Sequence, residues 1–195
     1  MVEYRKEYKY LLRNFEVYGF LKCFEGNIVK LHENRFIKSL YFDTINLSLY
    51  KESAVNDSDK KKVRIRQYNN ETNYFKEIKY NNKKGKSKTV NQININNFSD
   101  IDYLEYENYI LHPVLYVSYT RQYYRYKDLR LTLDEDIKYT THSFRTLNEI
   151  SHNIDNSIVE YKLNNEEAYI EKYFLRNPTA FSKYQNAVST LYFKN

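Results

Sequence analysis

Glycine and cysteine are scarce in this chain, and each scarcity excludes one kind of structure. The 195 residues include three glycines, Gly19, Gly26 and Gly85. A Walker A loop needs two glycines at a fixed spacing before Lys-Ser/Thr, and a Rossmann turn needs three close together, so neither phosphate-binding loop is present. The one cysteine, Cys23, excludes an internal disulfide and favours a reducing compartment, which we take to be the cytoplasm.

Metal-binding clusters of histidine and long apolar runs are also missing. The four histidines, at positions 32, 112, 142 and 152, are scattered, which argues against a zinc site. No run approaches the roughly 18 apolar residues of a membrane span, so we expect no membrane segment of the chain's own. Charges interrupt every short apolar run near the start, so no signal peptide is expected.

The residues that are present predict one globular domain. Hydrophobic residues make up 42% of the chain, enough for a core, and 31 basic against 25 acidic residues give a net charge of +6. There is no linker-like stretch and no repeat, so we expect a single domain over residues 1–195. The 23 tyrosines suit half-buried strand positions better than base stacking or a cross-linked coat.

Residues with strand propensity dominate the pattern, with a few helices between them. The sequence therefore predicts an α+β fold. The predicted strands are Glu3–Leu12, Arg35–Phe42, Lys61–Tyr68, Tyr74–Tyr80, Ser87–Ile93, Val114–Tyr126, Leu129–Tyr139 and Ile158–Leu163. The predicted helices are Phe15–Phe24, Asn46–Glu52, Phe98–Asn108, Glu166–Leu175 and Ser182–Tyr192, with Asn14 and Ser182 as N-caps.

Charged residues recur on one face of the predicted strands. Side chains alternate across a strand, so residues two apart share a face, and apolar residues take the other. An ordinary half-solvated sheet explains any one strand, but the repeated basic bias favours a sheet closed on itself with its charges inside. The charged pairs are Glu7 and Lys9, Arg64 and Arg66, Glu77 and Lys79, Arg130 and Asp134, and Glu160 and Lys162; Arg121 shares its face with Tyr119 and Tyr123.

Several cations in one enclosed, low-dielectric space require an anion to balance them. A chain of phosphates would balance them, and carboxylates among the cations would hold a divalent metal that bridges phosphate oxygens. Glu160 is the first candidate metal ligand, followed by Glu7, Glu77 and Asp134. For each Glu-x-Lys pair the alternative is a surface ion pair worth about 0–1 kcal/mol.

An ordered set of eight short motifs resembles the VTC domain, the polyphosphate polymerase domain of the triphosphate tunnel metalloenzyme (CYTH-like) superfamily. No single motif is specific, but their order covers nearly the whole chain. The motifs are Glu7-Tyr8-Lys9, Ser39-Leu40-Tyr41-Phe42-Asp43-Thr44, Arg64-Ile65-Arg66, Glu77-Ile78-Lys79, Tyr119-Thr120-Arg121, Arg130-Leu131-Thr132-Leu133-Asp134, Glu160-Tyr161-Lys162 and Ser182-Lys183-Tyr184.

The resemblance implies an eight-stranded antiparallel tunnel with helices packed outside. Glu160 matches the metal-binding carboxylate of the family. Lys86 or Lys88 matches a lysine expected past the fourth strand, and Lys162 and Tyr119 join the substrate-binding set. The implied catalytic cations are Lys9, Arg64, Arg66, Lys79, Arg121, Arg130 and Lys183.

The resemblance also implies an ATP-dependent transferase. The γ-phosphoryl group of ATP would pass to a growing polyphosphate chain with Mn²⁺ or Mg²⁺ as cofactor, and the basic side chains would align donor and acceptor. ATP and polyphosphate are the implied ligands. A partner protein at a membrane or in a coat is compatible with this function, and the sequence does not fix the oligomeric state.

Two departures from the family pattern bear on the reaction. Arg5 stands where superfamily hydrolases often have the first Glu of Glu-x-Glu-x-Lys, which favours the polymerase branch. Ala180 and Phe181 replace a basic residue often found before the Ser-Lys pair, so the product end of the tunnel would be less basic.

Three alternatives to a polymerase remain open. They are a triphosphate or tripolyphosphate hydrolase of the same superfamily, a non-catalytic polyphosphate-binding module, and a basic nucleic-acid binder. The lysine runs Lys60–Lys62 and Lys83–Lys88 would suit nucleic acid or a polyanion at a tunnel mouth, but such runs are more often solvated loops. We therefore expect no nucleic-acid partner.

Overall fold

Strands make up most of the described structure. The computed structural model describes residues 6–24, 27–55, 60–82, 85–127, 129–163 and 178–193. The helices are α1 (Glu16–Lys22), α2 (Ser48–Val55) and α3 (Lys183–Val188), and α3 continues as a π-helical turn, Ser189–Phe193. The strands are β1 (Lys6–Arg13), β2 (Ile28–Lys30), β3 (Arg35–Asp43), β4 (Lys60–Tyr68), β5 (Tyr74–Asn82), β6 (Gly85–Ile93), β7 (Leu104–Tyr106), β8 (Tyr109–Tyr126), β9 (Leu129–Thr141), β10 (Ser151–Asn153) and β11 (Asn156–Leu163).

The strands form one mostly antiparallel sheet, so the predicted α+β class is confirmed. Its order is β1-β11-β9-β8-β3-β4-β5-β6, with β10 beside β9 and with β2 and β7 beside β8. This path ends at β1 and β6, and within the ranges given above no pairing joins those two strands. All eight predicted strands are present, because period-two alternation identified their half-buried segments.

The chain divides into two compact units. The first unit comprises residues 1–35, 119–137 and 153–181, and the second comprises 36–118, 138–152 and 182–195. A single domain over residues 1–195 stays a prediction. Within the described residues, no helix is both long and apolar enough to cross a membrane.

Helix α1 covers the apolar face of the sheet in the first unit. Val17 and Phe20 of α1, with Phe24 just after it, belong to one buried cluster with strand residues. The strand members include Tyr10 of β1, Leu12 of β1, Leu131 of β9, Leu133 of β9 and Val159 of β11. Burying the apolar face in this way leaves the charged side chains of β1, β9 and β11 on the opposite face.

The second unit repeats the arrangement. Leu40 and Phe42 of β3 form a buried cluster with Val63 and Ile65 of β4 and Leu49 of α2. These two pairs of strand residues, each two apart, therefore share the face that packs against α2. The residues between them, including Arg64 and Arg66, take the other face, as the alternation predicts.

The predicted helix Phe98–Asn108 is wrong. Phe98–Asp100 forms a single 3-10 turn whose capping box joins Asn97 and Asp100, and Leu104–Tyr106 then forms strand β7. Strand β8 supplies backbone partners for β7, and Glu107, with φ of 53°, turns the chain into β8. Long-range strand pairing thus outweighs the local helical pattern.

Of the two predicted N-cap residues, one is confirmed. Ser182 caps α3, because its hydroxyl accepts a hydrogen bond from the Gln185 amide at 3.3 Å. The predicted cap Asn14 is wrong: Phe15 occupies the N-cap of α1, while the Asn14 side chain accepts a hydrogen bond from the Ser157 hydroxyl at 2.9 Å. The predicted helix Glu166–Leu175 lies outside the described residues.

Candidate functional site

Strand register places the basic side chains of β4 between polar partners in the second unit. Arg64 lies opposite Tyr41 of β3 and opposite Glu77 of β5, and Arg66 lies opposite Ser39 of β3. Directly opposite residues of an antiparallel pair share a face of the sheet. The Arg-x-Arg spacing that the sequence shows therefore becomes a cluster built from three neighbouring strands.

Glu77 is the centre of this cluster. Its Oε2 lies 2.8 Å from Arg64 Nε and 3.7 Å from Arg66 Nη1, and its Oε1 lies 2.8 Å from Lys88 Nζ. The Glu77 side chain is 1% exposed. These three cations and one carboxylate carry a net charge of 3 − 1 = +2. We call these four residues the Glu77 cluster.

Charges around Glu77 keep it ionised. Burial acts to raise the pKa of this carboxyl, but attraction to Arg64 and Arg66 and the hydrogen bond from Lys88 outweigh burial and hold the pKa well below its ordinary value. The carboxylate therefore holds the three cations close together at neutral pH. The excess positive charge of the cluster suits a polyanionic ligand.

Two stacked tyrosines support Arg64 on the side of β3. Arg64 Nη1 donates a hydrogen bond to Tyr41 Oη at 2.7 Å, and the Tyr41 ring stacks on Tyr184 with centroids 5.0 Å apart. Tyr184 donates to the buried carboxylate of Asp43 at 2.6 Å. Burial acts to raise the pKa of Tyr41, but the charges of Arg64 and Arg66 lower it. Sequence reasoning named none of Tyr41, Asp43 or Tyr184 as a site residue, although all three fall in the quoted motifs.

Of the remaining predicted cations of the second unit, Lys79 and Lys183 are related to this cluster by strand register and by charge. Lys79, half-buried, is paired in register with Lys88. Lys183 opens α3 beside Tyr184, and its charge contributes to the lowered pKa of Tyr41. Lys86 belongs to β6, and its side chain lies outside the described part of the chain.

A second charged cluster lies on β1 and β11 of the first unit. Glu7 is opposite Lys162, and Lys9 is opposite Glu160. Lys162 Nζ lies 3.7 Å from Glu7 and 3.5 Å from Glu160, and Lys9 Nζ lies 4.0 Å from Glu160 and donates to the Phe181 carbonyl at 3.1 Å. The two Glu-x-Lys motifs thus interleave acids and bases across one strand pair.

Nearby charges favour the ionised form of Glu160. Burial acts to raise its pKa, but a hydrogen bond with Glu7 and the charges of Lys9, Arg121 and Lys162 hold the pKa well below its usual range. The side chains of Glu160 and Glu7 are 14% and 17% exposed. Two adjoining, nearly buried carboxylates fit a hard divalent cation that takes oxygen ligands.

Arg121 is held by Asp134 and by aromatic rings. Its Nε and Nη2 bind the two Asp134 oxygens at 2.5 and 2.7 Å, a bidentate pair. Its guanidinium lies 5.3 Å from the Tyr119 ring centre, and that of exposed Arg130 lies 5.5 Å from the Tyr123 ring centre. Asp134 therefore orients Arg121, and Glu77 in the same way pairs with its own cations. Glu160 and Glu7 are therefore the better candidates for metal ligands.

Among the residues that the structure describes, no three His, Cys, Asp or Glu side chains come together as a metal site. A site built from Glu160 and Glu7 would need further oxygens from phosphate or water. Mg²⁺ in phosphoryl-transfer enzymes is commonly bound in this way, by one or two carboxylates together with substrate phosphates.

Family comparison identifies the relatives of the chain. The sequence profile of the VTC domain matches residues 3–99 and 91–192. The chain belongs to the VTC domain family. No curated protein sequence is similar enough to count as a match.

Solved structures show that this VTC domain shares its fold with proteins of distant sequence. A Pyrococcus horikoshii protein has a TM-score of 0.55 at 16% identity, over 96% of this chain and 99% of that one. A Hippeastrum adenylyl cyclase-like protein, described as having a dominant triphosphatase activity, has a TM-score of 0.53 at 14% identity, over 94% and 95% of the two chains. At such identities the likeness concerns the fold.

Acidification should destabilise the VTC domain through Glu77. Its folded-state pKa lies below the ordinary value of 4.5, so the unfolded chain binds more protons and stability falls as the pH drops below about 4.5. The slope for this one group is at most about 1.4 kcal/mol per pH unit. Urea unfolding from pH 7 to pH 3 should show a steeper decline for the wild type than for Glu77→Gln, and parallel declines would contradict this account.

Proposed function

We propose that this VTC domain is a metal-dependent polyphosphate polymerase that transfers the γ-phosphoryl group of ATP to a polyphosphate chain. The observation that carries the proposal is the Glu77 cluster, where a buried carboxylate holds three cations with net positive charge. Membership of the VTC family supports this reaction, since phosphate chains are the ligands that such a cluster would balance.

The proposal includes closure of the sheet into an eight-stranded tunnel with the charged faces inside. Support comes from the burial of the charged face of β4, because Arg66 is 5% exposed and the Arg64 side chain is 11% exposed although neither belongs to an apolar core. Charged side chains that lie on an open outer surface are mostly solvated. A single functional domain over residues 1–195 is part of this proposal.

The basic side chains would act by position and charge. Phosphoryl transfer spreads negative charge over the equatorial oxygens of the moving group, so fixed guanidinium and ammonium groups lower the barrier. In the second unit we assign this role to Arg64, Arg66, Lys79 and Lys183, with Lys86 and Lys88 binding substrate. In the first unit we assign it to Lys9, Arg121 and Arg130, with Lys162 and Tyr119 binding substrate. A phosphate oxygen of the acceptor would be the nucleophile.

Glu160 and Glu7 would hold the divalent metal, Mn²⁺ or Mg²⁺. The ion would neutralise oxygens of the triphosphate when bound. The ionised state of Glu160 fits this role, whereas Glu77 and Asp134 would orient arginines. Lys9 and Lys162, each within 4.0 Å of Glu160, would hold the carboxylate in place.

Synthesis of polyphosphate from ATP is the direct test. Incubation with ATP and Mn²⁺ should yield a polyphosphate ladder on a gel, and the ladder should be lost in Glu160→Ala. Glu149→Ala is a matched control, since that glutamate is exposed and lies outside both charged clusters. We expect the control to keep full activity.

The same assay separates the proposed reaction from the alternatives. Release of phosphate without chain growth would replace polymerase by triphosphate hydrolase. Tight polyphosphate binding with neither product would replace it by a binding module. Oligonucleotide binding that tripolyphosphate cannot displace would contradict any phosphate-chain site.

A further inference from the structure

A cavity lies beside the first residue of β5 and the last residue of β6 in the second unit. It has a volume of about 720 Å³, within the range of small-molecule sites, and amide side chains line much of it. The lining residues include Asn73, Gln92, Asn94 and Asn96 with Ile93. Amides offer a donor and an acceptor side by side without charge, so the cavity suits a neutral polar group.

One of these amides, Gln92, lies on the same face as the Glu77 cluster, and Asn73 is bound to it. Along β6, Gln92 is four residues from Lys88, so the two share a face, whereas Asn73 lies just before the first residue of β5. Four residues of a strand span about 13 Å. Gln92 Nε2 donates to Asn73 Oδ1 at 3.0 Å, which holds the two side chains together.

Aromatic rings lie between the cations and the amides. Phe75 is opposite Gln92 in register and opposite Arg66 on its other side. The Phe75 ring contacts Tyr68 with centroids 5.9 Å apart, and the Arg66 guanidinium lies 5.8 Å from the Tyr68 ring centre. On this face the half-buried rings therefore lie between the cations and the paired amides.

This order matches the chemistry of a nucleoside triphosphate. Its phosphates are anionic, its base stacks on aromatic rings, and the edge of the base forms paired hydrogen bonds with Asn or Gln. We propose that the base of the nucleotide docks at Asn73, Phe75 and Gln92 while its triphosphate binds the Glu77 cluster. The inference rests on the proposed function, to which it adds the residues that bind the base of the donor nucleotide.

Comparing two probes tests the docking site. Calorimetry should measure binding of ATP and of tripolyphosphate to the wild type, to the double variant Asn73→Ala/Gln92→Ala, and to Asn91→Ala. Asn91 is the matched control, because it is exposed on the opposite face of the same strand. We expect the double variant to lose about fivefold to tenfold in ATP affinity with unchanged tripolyphosphate affinity, and the control to leave both affinities unchanged.

Each outcome has a separate meaning. Equal loss for both probes, or no loss for ATP, overturns the base-docking site while leaving the triphosphate site in place. Failure of the wild type to bind either probe contradicts the proposed function itself. Because Asn73 and Gln92 are exposed, the double variant should fold, and an unchanged thermal midpoint verifies this.

Discussion

Glu77→Gln is expected to lower the free energy of unfolding by about 3–5 kcal/mol, the usual cost of removing one partner from a buried ion pair. Glutamine keeps the shape of the side chain but removes the charge that Arg64, Arg66 and Lys88 share. The three cations would then repel one another in a site where Arg66 is 5% exposed. Chemical denaturation followed by circular dichroism measures the loss.

Added anion should reverse this loss. A ligand that binds the folded chain alone stabilises it by mass action, and tripolyphosphate would replace the missing negative charge. We therefore expect millimolar tripolyphosphate to raise the unfolding midpoint of Glu77→Gln more than that of the wild type. Glu105→Gln, an exposed site on β7, is the control and should change stability by less than about 0.5 kcal/mol. A loss at Glu77 as small as that of the control would mean that the carboxylate does not hold the cluster.

Arg66→Ala should lower the rate of polyphosphate synthesis by about 100-fold to 1,000-fold, the usual effect of removing one transition-state donor. Arg66 is fixed by its bond to Ser39 Oγ at 3.1 Å and by Glu77 at 3.7 Å, so its charge is preorganised. Stability should fall far less than in Glu77→Gln, because Arg64 and Lys88 still neutralise Glu77.

Two further variants sharpen the Arg66 test. Arg66→Lys keeps the charge but loses the planar fork, so we expect partial activity. Arg125→Ala removes an exposed arginine of β8 and should leave the rate unchanged. Gel assay of chain growth at saturating ATP compares the variants, and an Arg66→Ala rate equal to that of Arg125→Ala would show that Arg66 takes no part in transfer.

Local periodicity predicted the faces of the sheet well. Arg64 with Arg66, and Glu7 with Lys9, needed only the alternation of side chains along a strand, which is a property of neighbouring residues. The same alternation predicted that Val63 and Ile65 are buried, which the structure confirms. Charged pairs on the face opposite a core could therefore be predicted from the sequence.

The cross-strand partners of these residues could not be predicted from the sequence. The hydrogen bond between Arg64 and Tyr41 joins residues 23 apart, and that between Tyr184 and Asp43 joins residues 141 apart. Such contacts depend on strand register and helix docking, which local patterns do not fix. The same reason explains the wrong helix over Phe98–Asn108, whose backbone partner is strand β8.

Asp43 has a consequence for the synthesis of this protein on the ribosome. Its carboxylate accepts hydrogen bonds from the backbone amides of Thr44, Leu49 and Tyr50, all available early in translation. Its fourth donor, the Tyr184 hydroxyl, emerges 141 residues after Asp43. A nascent chain that has not released residue 184 therefore leaves the Asp43 carboxylate short of one donor and lacks the adjoining Lys183. Support of Arg64 by Tyr41 stacked on Tyr184 is expected to form only after this later segment leaves the ribosome.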